Sequence, residues 1–169
     1  MVKNLIKNVL VAINGSKSSI EAAKYAIILA KQNKFNLKVI YVVDTQTLKF
    51  LTNSKYLISS ESADYEQNLE QDGKNYLEYV SNLAKSKGLS IETELLKGSI
   101  SSEILKTAQE IKADLILIGG KQSSQNNYSD SYRYKHKIEL SVKTEILELA
   151  ECPVMIVHKS DINDLFKIF

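Results

Sequence analysis

Apolar residues along the chain fall into two alternating kinds of segment: short unbroken runs, and longer stretches in which they recur every three or four positions. Val9-Leu10-Val11-Ala12-Ile13, Val39-Ile40-Tyr41-Val42-Val43, Leu115-Ile116-Leu117-Ile118 and Pro153-Val154-Met155-Ile156-Val157 read as strands, because continuous β-branched and aliphatic runs suit a sheet covered on both faces. Ile91 to Leu96 alternates apolar with polar positions, which predicts a further strand at an edge. Between the runs, Ala22, Ala23, Ala26, Ile27 and Ala30 form one helical stripe, and Leu69, Tyr76, Leu77, Val80, Leu83 and Ala84 form a second on a long helix. Ile104, Leu105, Ala108 and Ile111 mark a third helix, and a last one is expected from about Ile138 to Ala150. From Asp44 to about Ser60 neither period holds. Repeated strand–helix units of this kind predict an α/β fold, a doubly wound parallel sheet of five strands with helices on both faces.

Local punctuation refines the boundaries. Gly15 ends the first strand, and Ser18 followed by Glu21 predicts a capping box that opens the first helix. Gly88 stands where a left-handed cap would close the long helix. Gly73 falls inside that helix, where it costs about 1 kcal/mol relative to alanine and has no functional account. The tail from Asp161 to Phe169 alternates apolar and polar residues and predicts one extra docked turn.

Composition narrows the class. With 169 residues, 44% apolar and 25% charged, and only six glycines and one proline, the chain suits one compact domain, taken as residues 1–159 with a tail at 160–169. Lysine and arginine number 22 against 20 acidic residues; a net charge of +2 gives no general attraction to nucleic acid or anionic membrane, and neither is expected as a partner. No run approaches the ~18 apolar residues of a membrane helix, no signal core follows Lys3 and Lys7, and the single Cys152 cannot form an intrachain disulfide, so a cytoplasmic protein is expected. Cys152, beside Pro153, is read as a buried, inert thiol. His136 and His158 are isolated, and no metal is expected.

In doubly wound sheets ligands bind at the carboxyl ends of strands where the winding reverses. Here those ends are Asn14-Gly15-Ser16 and Gly119-Gly120. Ser16 is read as a helix cap or phosphate contact, because neither a G-x-S-x-G elbow nor a placed histidine supports a nucleophile. The segment Ile13-Asn14-Gly15-Ser16-Lys17-Ser18 also lacks the second glycine and the carboxylate of the S-G-G-x-D-S loop of ATP pyrophosphatases, and no flavin site of an electron-transfer flavoprotein is found.

Val9 to Ser16 (VLVAINGS), Val39 to Asp44 (VIYVVD), Gly98 before a helix, Asp114 to Gly119 (DLILIG) and Ser141 to His158 (SVKTEILELAECPVMIVH) together resemble the universal stress protein family, over roughly residues 7 to 159. The resemblance implies a Rossmann-like, adenine nucleotide alpha hydrolase-like three-layer sandwich with strand order 3-2-1-4-5, and a homodimer through the fifth strand, Val154 to Val157. The family divides into ATP binders and non-binders, and the binders wrap phosphates with G-x-x-G, nine residues, then G-[ST]. Here Gly119 matches the first position, Gln122 stands at the second glycine, Leu140 at the third, and Ser141 at the hydroxyl, with about eight extra residues between. Asn14 replaces the family's usual aspartate, which weakens a magnesium-assisted site. Ala12 and Val42 occupy adenine-lining positions flanked by Ile118 and Gly119, although strand packing accounts for Ala12, Val42 and Ile118 equally.

The candidate crevice therefore comprises Ala12, Asn14, Gly15, Ser16, Val42, Ile118, Gly119, Gly120, Gln122, Arg133, Ser141 and Val142; the sequence assigns it no definite occupant, and ATP and AMP are the candidates. Lys121 to Glu139 (KQSSQNNYSDSYRYKHKIE) carries Tyr128, Tyr132 and Tyr134 among Lys121, Arg133, Lys135 and Lys137. One reading makes it a rebuilt anion-binding loop in which Arg133 or Lys135 replaces the lost glycine amides. The others make it a solvated insertion or a partner-binding loop. The function expected is a regulatory or ligand-sensing module with a degenerate nucleotide crevice and no catalysis. The alternative is a switch that holds ATP or AMP at Asn14, Gly119 and Ser141 and hydrolyses it slowly at most.

Overall fold

Successive side chains of a strand leave on opposite faces of the sheet, and the central strands of this chain are apolar on both. The computed structural model describes residues 4–55, 59–120, 130–159 and 161–169; the side chains of 59, 60 and 130–136 lie outside the description. Its strands are β1 (Asn8–Ile13), β2 (Asn36–Asp44), β3 (Glu92–Gly98), β4 (Leu115–Gly119) and β5 (Val154–Val157), in the order β3-β2-β1-β4-β5 with every pairing parallel. The winding reverses between β1 and β4, as expected.

The helices are α1 (Lys17–Asn33), α2 (Thr45–Asn53), α3 (Ser59–Ser86), α4 (Ile100–Glu110), α5 (Asp130–Leu149) and α6 (Ile162–Ile168). Val9, Val11, Val39 and Leu117 pack with the alanine stripe of α1 and with Leu77, Val80 and Ala84 of α3. Leu10, Ile40, Ile116 and Ile118 pack on the other face with Ile104 and Ala108 of α4 and Ile146 of α5. Each valine, leucine or isoleucine side chain so buried contributes roughly 1.5–3 kcal/mol. Asp114 ties the start of β1 to the turn before β4, its carboxylate accepting the N–H groups of Asn8 (2.9 Å) and Lys7 (2.8 Å), which together hold its pKa below the usual carboxylate value.

Four boundaries differ from the sequence reading. The cap of α1 is Ser16, whose hydroxyl accepts Ser19 N–H at 3.2 Å, so Ser18 lies within the first turn and the Ser18–Glu21 capping box does not form. Helix α2 occupies most of the stretch without periodicity; Asp44 caps it by accepting Thr47 N–H at 2.9 Å, and only Leu48 is buried, which is why no stripe announces it. Helix α5 begins at Asp130, eight residues before Ile138, in a polar stretch with no glycine or proline to stop it. The tail forms the two-turn α6, which seats Ile162 and Phe166 against α1 and α3, with Lys24 and Lys87 ammonium groups 5.8 and 4.7 Å from the Phe166 ring.

The two sheet edges are finished differently. On the β3 side, Lys38 of β2 binds Glu92 and Glu94 at 2.6 and 2.7 Å, and Lys97 binds Glu66 (3.1 Å) and Glu70 of α3. On the β5 side Met155 is exposed, and Val154 and Ile156 are half-buried.

Gly88 closes α3 at φ +73°, as expected. Gly73 gains the account that the sequence lacked: a Cβ there would lie 2.5 Å from Leu95 Cδ1 and 2.6 Å from Tyr41 Cδ1, so the missing side chain lets α3 sit close on β2 and β3. Helix propensity favours alanine here by about 1 kcal/mol, but overpacking costs about 1–3. Gly73→Ala is therefore expected to lower the unfolding free energy by about 1 kcal/mol or more in urea titration, since the Tyr41 ring, stacked on Tyr76 at a centroid distance of 6.3 Å, cannot turn aside. A stabilised variant would show that this contact does not constrain α3.

Candidate functional site

Where β1, β2 and β4 end, the α4–α5 face holds side chains too small or too few to close it. Ala12 lies in register between Ile118 on β4 and Ile40 on β2, and Val42 stands two residues beyond Ile40 on the same face. The result is a cavity of about 100 Å³ bounded by these residues with Ile13, Asn14, Ser16, Ser18, Ser19, Gly119, Ile100, Ile104, Ile138, Glu139, Val142, Lys143 and Ile146. Ile138, Val142 and Ile146 recur every four residues, which sets them on one face of α5 as a wall opposite the sheet.

The polar end is the β1–α1 turn, whose groups are largely engaged with one another. Asn14 Oδ1 accepts Ser16 N–H at 3.1 Å, Asn14 N–H donates to Ser19 Oγ at 3.3 Å, and Ser19 Oγ–H donates to Ser16 O at 2.9 Å. Ser16 Oγ caps Ser19 N–H and lies 3.2 Å from Ser18 Oγ. Ser16 is thus a capping residue, and no base stands beside it among its described hydrogen-bond partners. Gly15 takes φ +77°, and a Cβ there would collide with the Tyr76 ring. Burial, with Asp72 beside it, pushes the Tyr41 phenol up, so the Tyr41 ring that stacks on Tyr76 stays neutral at physiological pH.

Gly119 serves the same geometry from the other side. A Cβ on it would lie 2.6 Å from both Ser18 C and Ser19 N, so glycine lets the first turn of α1 rest on the end of β4. A Cβ on Gly120 would meet the His158 ring, and the Gly120 carbonyl accepts from Lys143 Nζ at 3.1 Å.

Of the residues singled out from sequence, Ala12, Asn14, Ser16, Val42, Ile118, Gly119 and Val142 line the cavity. Gly15 and Gly120 adjoin it without lining it. Ser141 is exposed on α5, one helical step from Val142 but turned about 100° from the wall. Gln122 and the side chain of Arg133 lie outside the described residues, as does most of the tyrosine- and lysine-rich segment. The sequence reading did not assign Ser18, Ser19, Ile100, Ile104, Ile138, Glu139, Lys143 or Ile146 to the crevice. The spacing of Ile138, Val142 and Ile146, with Glu139 and Lys143 beside them inside the helix expected from Ile138 to Ala150, is the signal that could have found them.

Cys152 is half-buried at the amino end of β5, away from the cavity, and burial together with Asp114 pushes its thiol up, which fits an unreactive role. Among the described residues no three His, Cys, Asp or Glu side chains gather as metal ligands, and no helix is long and apolar enough to cross a membrane.

Comparison with known proteins agrees with this architecture. The model of the universal stress protein family matches residues 5–158. A universal stress protein of Methanocaldococcus jannaschii is 35% identical over 162 residues, covering 93% of this chain and 85% of the relative. A universal stress protein family member from Arabidopsis thaliana, solved with AMP bound, superposes with a TM-score of 0.62 at 20% identity, covering 92% of this chain and 94% of that one. A universal stress protein solved in complex with cAMP superposes with a TM-score of 0.60 at 20% identity, covering 93% of this chain and 100% of that one.

The Gly119 contact separates two positions that sequence alone treats alike. Gly119→Ala places its methyl against helix backbone, which cannot rotate away, and a loss of about 1–3 kcal/mol in unfolding free energy is expected. Ser141→Ala, on an exposed face, is expected to stay within about 0.5 kcal/mol of the parent. Equal stabilities would remove the case for close packing at Gly119.

Proposed function

The chain belongs to the universal stress protein family, and on that premise we propose that it is a cytoplasmic regulatory module that senses an adenine nucleotide and does no chemistry on it. The observation that carries the reading is the cavity itself: an apolar slot of Ala12, Val42, Ile118 and Ile104 that opens onto the amino end of α1. Such a slot suits a flat, largely apolar base, and the helix end suits an anion. The AMP and cAMP complexes of the two structural relatives support the same class of ligand. Absence of catalysis is supported by the lining, in which Glu139 is the one carboxylate among the described residues and each serine of the turn is held by a neighbour.

Calorimetric titration of the purified full chain with adenosine, AMP, cAMP and ATP tests this. At least one of them is expected to bind saturably at one site per chain, and Val42→Trp, which fills the slot, is expected to weaken that binding at least about tenfold while leaving the circular dichroism spectrum unchanged. No binding by any of the four would overturn the adenine reading, and phosphate release from ATP above the buffer rate would overturn the non-catalytic one.

We further infer a homodimer through β5. Among the described residues that strand pairs with β4 alone, and its other edge presents unpaired backbone beside exposed Met155. Sedimentation is expected to give twice the chain mass, and Met155→Lys to shift it toward one. A monomeric wild-type chain at micromolar concentration would contradict the assignment.

A further inference from the structure

The cavity lies between α4 and α5, and its width is the gap between them. Ile100 and Ile104 of α4 form one wall, and Ile138, Val142 and Ile146 of α5 form the other. Among the described residues one side-chain hydrogen bond spans that gap: Ser101 of α4 donates its hydroxyl to Glu145 Oε2 of α5 at 2.7 Å. The bond is set into the walls themselves, since Ser101 stands between Ile100 and Ile104, and Glu145 between Val142 and Ile146. Each of these helices links two parallel strands and must run back along the sheet, so both begin at the carboxyl ends of the strands, where the cavity opens. Ile104 and Ile146, on the inner side of the bond, are 2% and 1% exposed, whereas Ile100 and Val142, on the outer side, are half-buried. Ser101 and Glu145 therefore meet where the closed interface of the two helices gives way to the slot.

The chemistry of the pair suits a tie. The first turn of a helix presents unsatisfied N–H groups and a partial positive charge, which favour a carboxylate nearby. Ser99, the cap residue of α4, makes no side-chain capping bond, and its hydroxyl lies 3.5 Å from that of Ser101. Glu103, the acidic residue of that same turn, turns instead to Gly98, where an added Cβ would lie 2.9 Å from its carboxylate. Glu145 thus brings a negative charge to α4 from the neighbouring helix. Glu145 is exposed, but Ser101 is buried, so water competes poorly for the hydroxyl, and a bond to a charged acceptor is stronger than one between neutral groups. Without Glu145 the Ser101 hydroxyl keeps only Ser99, at 3.5 Å, as a described partner.

We propose that Glu145 is a positioning residue for this slot: by holding Ser101 it fixes the spacing of the α4 and α5 walls, and so selects a two-ring purine over a wider, three-ring base. The inference rests on the adenine reading above. With the tie cut, apolar side chains alone join the walls and the helices can part, while the floor of Ala12, Val42 and Ile118 stays as it is. Discrimination by width is then lost before binding itself.

The test takes whichever of adenosine, AMP, cAMP and ATP binds most tightly and compares it by calorimetry with its etheno derivative, whose base carries a third fused ring. The full-length wild-type chain, Glu145→Ala, Ser101→Ala, the double variant and Glu145→Gln are titrated, with thermal melts confirming that each folds. In the wild type the parent ligand is expected to bind about tenfold or more tightly than the etheno derivative. In Glu145→Ala that ratio is expected to fall at least about fivefold, in Ser101→Ala to fall equally, and in the double variant to fall no further. Glu145→Gln, whose amide oxygen can accept the same hydroxyl proton, is expected to keep the wild-type ratio, a rescue that a general loss of stability would not produce. A ratio unmoved in Glu145→Ala and Ser101→Ala, or an etheno derivative that binds the wild type as tightly as its parent, would overturn the proposal and leave the adenine reading standing. Failure of all four parent ligands would instead remove the adenine reading and this proposal with it. The two single variants cut one bond from opposite helices, so if either misfolds the other decides.

Discussion

A single hydrogen atom, that of Gly119, stands between the end of β4 and the backbone of Ser18 and Ser19. That contact sets where α1 begins, and much else depends on it. Once the first turn is seated, the stripe from Ala22 to Ala30 falls onto β1 and β4, and the central core closes over Val9, Val11 and Leu117. The β1–α1 turn must then reverse sharply in little space. It does so with Gly15 at positive φ and with Asn14, Ser16 and Ser19 satisfying one another's polar groups. Tyr76 presses on the outside of the same turn, so that β4 and α3 grip it from opposite sides.

The two faces of the sheet reach different endings from this start. On the α1–α3 face Ile13, Tyr41 and Val43 are buried to the last residue of their strands, and α3 is drawn in at Gly73 to cover them. On the α4–α5 face the corresponding positions are Ala12 and Val42, both half-buried, and α5 stands off behind Ile138 and Val142. A cavity is thus the difference between isoleucine and alanine at neighbouring positions of β1. Placing it beside a helix amino end gives an apolar slot one polar wall, and the rest of the site's chemistry follows from that adjacency.

The central strands were legible because burial on both faces forces unbroken aliphatic runs, and the shortness of Leu115-Ile116-Leu117-Ile118 with Gly119-Gly120 directly after it marks a strand over a buried helix. Helix α2 was not, because a helix that buries only Leu48 has no stripe to read and is held by its Asp44 cap. Asp130 to Lys137 hid for the opposite reason: its tyrosines and cations resemble a binding loop, although no residue in it breaks a helix. Glu139 ends the polar stretch from Lys121 and Lys143 sits in the family-like stretch from Ser141, so although both lie within the helix expected from Ile138, neither stands out in the sequence as a crevice residue. Gly119 was legible as special, but a sequence cannot distinguish a glycine needed by a ligand from one needed by a neighbouring helix. Only the backbone of Ser18 beside it does so.

The unequal edges of the sheet set a limit on how this fold can grow. Along β3 the rim is occupied by ion pairs from Lys38 and Lys97, and an incoming strand would have to displace charges to add there. Along β5 the rim is short and apolar. Strand addition is therefore confined to one side, and a two-fold pairing on that side consumes the open edge of each copy. For the proposed β5 dimer, a two-fold pairing leaves each copy only its charged rim, on which no further strand adds without displacing ion pairs, so such an assembly would close at two.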